Sequence, residues 1–67
     1  MNLKTEFTEP ECVWFRQVCN FTPQELAVFD LRVKDSTIVQ IQEKLNMSES
    51  TVNRRIKSIK AKIHKVL

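Results

Sequence analysis

The side chains best equipped for chemistry crowd into the last third of the chain. The run RRIKSIKAKIHK, residues 54–65, holds two arginines and four lysines, and no acidic residue follows Glu49. Cationic groups repeated at short intervals, with the amide of Asn53 beside them, are suited to binding a polyanion: nucleic acid or an anionic membrane surface. A solvated helix face is the plainer alternative, but such faces usually mix signs. Other chemistries fail on residue counts. Cys12 and Cys19 lie seven apart, a rise of about 10 Å on one helix, beyond the roughly 4.4 to 6.8 Å Cα separation that a disulfide accepts. They read as reduced, buried, small apolar residues. The single histidine, His64, is far from both, so no metal site is expected. It reads as a charge complement near a helix C-terminus. Glycine is absent, so no phosphate-cradling loop is available, and no carboxylate pair or Cys–His pair is brought together by any evident fold. The chain is not expected to be an enzyme or to need a cofactor.

Positioning those cations falls to a small scaffold. Sixty-seven residues allow one domain with one modest core. Residues 1–35 carry four basic and six acidic side chains, a net of −2, whereas residues 36–67 carry seven and two, a net of +5. The basic half is therefore a distinct surface rather than a general property. No stretch approaches the roughly 18 apolar residues of a membrane span, and MNLKTEFTEPE lacks the order of a secretory signal. A cytoplasmic protein without a membrane partner is expected.

Helix-start signals divide the chain. Thr8 with Glu11, Thr22 with Glu25 and Thr37 with Gln40 each form a capping box, with Pro23 at the first helical position after Thr22. Phe7 with Cys12 and Phe21 with Leu26 are placed to act as hydrophobic staples. Asp35 and Asn46 stand where glycine would normally end a helix in the left-handed conformation. Ser48 then caps a last helix, in which Val52, Ile56, Ile59, Ile63 and Val66 step by four and three residues and make a sustained apolar stripe. Asn53, Arg54, Lys57, Lys60 and Ala61 fall on the other side. Trp14 and Phe15, at helical spacing, are expected in the core. The fold class is all-α: a small four-helix domain over 1–67, with a tail at 1–8, an extra helix at 9–19 and a tri-helical core at 21–63 that contains a central helix-turn-helix.

Residues 21–63, FTPQELAVFDLRVKDSTIVQIQEKLNMSESTVNRRIKSIKAKI, resemble the LuxR-type (GerE-like) DNA-binding domain, whose pattern is close to L-T-x-x-E, E-I-A-x-x-L-x-[IV]-S, T-V-x-x-H and K-L. Thr22, Glu25, Val28, Leu31, Ile41, Leu45, Ser48, Thr51, Val52, Ile59 and Lys62 match. Gln42 stands where the family has Ala, Asp35 and Asn46 where it has Gly, and Arg55 where it has His. Arg55 and Ile56 after Thr51 and Val52 are closer to region 4 of bacterial sigma factors, which shares this helix-turn-helix. LuxR-type domains also carry a further C-terminal helix. The extra helix here is N-terminal.

The resemblance implies a bacterial or phage transcriptional regulator that inserts the helix after Ser48 into the major groove of double-stranded DNA. By position it makes Asn53, Arg54 and Lys57 base-reading, since arginine can donate two hydrogen bonds to guanine and asparagine can bridge an adenine edge. Thr37, Ser48, Ser50, Thr51, Lys60 and Lys62 are the candidates for phosphate contacts, which fix register. Caps alone explain Thr37 and Ser48. Arg55, beside the apolar stripe, is open between pairing within the fold and touching DNA. Paired half-sites call for a homodimer, through surplus apolar surface on helix one or the Ile63–Leu67 end. The alternative function is a sigma-region-4-like module that binds RNA polymerase or another protein, with the acidic, aromatic helix one as docking surface.

Overall fold

The computed structural model describes residues 7–67, and the expected tail therefore lies mostly outside the described residues. Those residues form four helices without a strand, a small all-α domain: α1 (Glu9–Val18), α2 (Pro23–Val33), α3 (Ile38–Leu45) and α4 (Glu49–Val66). Each start is set locally. Thr8, Thr22 and Thr37 adopt extended backbone, and each hydroxyl accepts from the N–H three residues on. Glu11, Glu25 and Gln40 return the bond by accepting from the threonine N–H at 2.9 Å. Two orphan groups are satisfied at each helix start, and a cap of this kind is worth about 1 kcal/mol. At α4 Ser48 accepts from the Thr51 N–H at 3.2 Å without a reciprocal acid.

The helix ends use left-handed residues without any glycine. Asp35 (φ 67°) follows α2. Its N–H donates to the Arg32 carbonyl and the Ser36 N–H to that of Leu31, both at 3.0 Å, the paired bonds of a Schellman motif. Asn46 (φ 53°) ends α3, where the Met47 N–H reaches back to the Gln42 carbonyl at 3.1 Å. A third left-handed residue, Asn20 (φ 52°), turns the chain between α1 and α2. The sequence reading extended the first helix to residue 19, but Cys19 is its C-cap, because the chain must turn at Asn20.

All four helices feed one core of Cys12, Phe15, Cys19, Val28, Phe29, Ile41, Val52, Ile59 and Ile63. Burial pushes the Cys12 and Cys19 thiols up, Cys12 with help from Glu11 and Glu9, and both cysteines are free. Raised thiols in apolar surroundings are inert packing groups. The two expected staple residues take aromatic partners in the core: Phe7 meets Phe15 edge-on at 4.9 Å, and Phe21 lies 5.0 Å from Phe29. Trp14 corrects the sequence reading outright, for it is 43% exposed while Phe15 is fully buried. The reason is angular. At about 100° per residue, Cys12, Phe15 and Cys19 define the inward direction, and Trp14 stands about 100° from Phe15. Among the described residues, no helix is long and apolar enough to cross a membrane.

Candidate nucleic-acid interface

The functional question turns on which sides of α4 are covered. Val52, Ile59 and Ile63 point inward and are buried. Eighteen residues give α4 a length of about 27 Å, against a long molecular axis of 29 Å, so this helix runs the length of the domain. Both α2 and α3 pack against α4.

The flank against α2 carries polar groups fastened to the fold. Glu25 is 4% exposed, and its carboxylate gathers donors from three places. Its Oε1 accepts from the Thr22 N–H at the start of α2 and from the Lys62 ammonium, and its Oε2 accepts from the Ser58 hydroxyl. Lys62 also donates to the Asn20 carbonyl at 3.2 Å. Burial alone would raise the Glu25 carboxyl, but the bonds from Lys62, Ser58 and the Thr22 backbone outweigh it and hold the pKa down at about 2. One turn earlier, the Arg55 Nε donates to the Gln24 side chain at 3.0 Å. The structure thus ties Lys62, a sequence candidate for phosphate, into an ion pair with buried Glu25, and it gives Arg55 a partner within the fold.

The opposite flank is open. Asn53, Arg54 and Lys57 are exposed and Lys60 half-exposed, and among the described residues none has a side-chain hydrogen bond or ion pair. Arg54 stands close to 180° from the buried stripe, and Asn53, Lys57 and Lys60 share the adjoining side. At the N-terminal end of α4, Ser48, Ser50 and Thr51 form a hydroxyl cluster: Ser48 donates to the Thr51 hydroxyl at 2.9 Å, and the Ser48 and Ser50 oxygens are 3.3 Å apart. Thr37 caps α3. Of the six phosphate candidates, Thr37, Ser48 and Ser50 are exposed, Thr51 and Lys60 are half-exposed, and Lys62 is tied to Glu25.

The Glu25–Ser58–Lys62 network went unread in the sequence, where Glu25 counted only as a capping acid. No local signal marks it, since Glu25 and Lys62 stand 37 residues apart. Among the described residues no group of three or more His, Cys, Asp and Glu side chains is gathered that could hold a metal ion. No protein-family model matches this chain, nor does any curated protein or solved structure.

Proposed function

We propose that this protein is a sequence-specific DNA-binding transcriptional regulator whose α4 enters the major groove. The observation that carries this reading is the open flank of α4, where Asn53, Arg54 and Lys57 stand exposed and Lys60 half-exposed, all unpaired among the described residues, beside the tight α3–α4 turn. A helix reads base edges only when its neighbours leave one side bare and brace the other, and α2 and α3 supply that brace. Arg54 is the principal base-reading residue, with Asn53 and Lys57 flanking it. Thr37, Ser48, Ser50, Thr51 and Lys60 meet phosphates, helped by the positive ends of α3 and α4. The resemblance of residues 21–63 to LuxR-type domains supports the same docking.

The test is selection from random duplex DNA followed by titration against salt. An enriched sequence, bound with an affinity that falls linearly in log–log form as salt rises, is the expected result. Absence of both enrichment and salt dependence would overturn the reading. Binding to purified RNA polymerase in the absence of DNA would move the function to the sigma-region-4-like alternative.

A further inference from the structure

The side of α4 that faces α2 is not spent along its whole length. Thr51, Arg55, Ser58 and Lys62 follow at intervals of four, three and four residues, which sets them in one row on the helix. The last two, Ser58 and Lys62, both donate to Glu25. The first two are held more lightly. Thr51 accepts from the Ser48 hydroxyl at 2.9 Å, which leaves its own hydroxyl proton to donate. Arg55 is fastened by one bond, from Nε to the side-chain oxygen of Gln24 at 3.0 Å. Among the described residues its two terminal nitrogens have no partner, and both Thr51 and Arg55 are half-exposed.

The chemistry of the tie matters. A carboxylate would hold the guanidinium and offset its charge, whereas the neutral amide of Gln24 holds it and leaves the charge whole. Glu25, next to Gln24 in sequence, is already engaged through both oxygens by Thr22, Ser58 and Lys62. With Nε fixed, the long side chain loses most of its freedom before any ligand arrives. The edge that carries the two terminal nitrogens is left for a partner, and that planar edge matches the spacing of two phosphate oxygens.

What this pair would meet rests on the reading of α4 as the helix that enters the major groove. A helix in that groove lies between two lines of phosphates. Arg55 is about 100° round the helix from outward-facing Arg54, on the shoulder between the open side and α2. Lys62, the other cation of its row, is bound to Glu25. Thr51 is one turn away, at about 5 to 6 Å between Cβ atoms, near enough to share one ligand. We propose that Arg55 and Thr51 bind one phosphate of the DNA backbone on the α2 side of α4, and that Gln24 is the residue that positions Arg55 for it.

The experiment titrates the full chain against its selected duplex across a salt series. Arg55→Gln should lower the slope of log affinity against log salt by about one, and should weaken the selected sequence and a one-base variant alike. Gln24→Ala should keep that slope, because the charge remains, and weaken binding about two- to tenfold, the cost of immobilising a freed arginine. In the Arg55→Gln background Gln24→Ala should cost nothing further, a coupling that a general disturbance of α2 would not produce. If Arg55→Gln does not fold, Arg55→Lys should keep the slope and lose about the same factor as Gln24→Ala, and native-like binding by it refutes the positioning role. A Gln24→Ala penalty that persists without Arg55 also overturns the proposal. When the native chain shows a salt slope and Arg55→Gln leaves it unmoved, the phosphate contact alone fails. When the native chain shows neither an enriched sequence nor a salt slope, the DNA reading fails and carries this contact with it.

Discussion

The two flanks of α4 carry similar residues and meet opposite fates. Arg55 and Lys62 face α2 and are bound by Gln24 and by buried Glu25, whereas Arg54 and Lys57 face outward without partners among the described residues. The helix supplies no acid beyond Glu49, so the difference is made entirely by the neighbouring helix. A cationic run in sequence is thus not one population. Part of it belongs to the fold, and only the remainder is available to a ligand.

Breaking the inner flank should have the largest effect. Glu25→Ala removes a cap partner and the acceptor of Ser58 and Lys62 together, and hydrogen bonds to a charged group contribute about 1.5 to 3 kcal/mol. Chemical unfolding followed by circular dichroism should show that loss, while Lys57→Ala leaves the unfolding midpoint unchanged.

Acid should sharpen the same contrast. The folded Glu25 titrates near 2, below the ordinary 4.5, so its contribution is complete above about pH 4.5 and is lost as pH falls toward 2. The unfolding midpoint of the native chain should drop across that window. Glu25→Gln, which keeps the cap geometry that Gln40 provides in α3, should start lower and show a flatter acid limb.

The outer flank predicts the reverse pattern. Arg54→Ala should cost about 1 to 3 kcal/mol of discrimination between the selected sequence and a one-base variant, measured by competition binding, with no change in the unfolding midpoint. An equal loss on all sequences would make Arg54 a phosphate contact instead. Smallest of all, Lys60→Ala should weaken binding uniformly and reduce the salt slope by about one. Lys62→Ala should act first on stability, and a normal unfolding midpoint combined with a reduced salt slope would place it back among the phosphate contacts.

The helix boundaries were legible because they are local. A threonine cap, its return partner three residues on, and Asp35 or Asn46 in the left-handed region are fixed by neighbours in sequence. Of the apolar stripe that helical periodicity predicts, Val52, Ile59 and Ile63 are buried, while Ile56 and Val66 pack only half-buried against the core. Asn20 was missed although the rule that identified Asn46 applies equally, for the turn it makes is signalled by nothing but its own residue type.

Tertiary structure alone decided which groups were spent. Glu25 and Lys62 are 37 residues apart, and no local pattern states that the packing of α2 on α4 brings a carboxylate to that ammonium. Trp14 stayed outside for the same kind of reason: a short helix on a small core can bury one line of side chains, and Cys12, Phe15 and Cys19 took it. Sequence determined where each helix begins, ends and turns its apolar side, because those are interactions within a few residues. Which cations remain for a partner, and which aromatic faces outward, depends on the covering of one helix by another, and that is fixed only when the chain closes on itself.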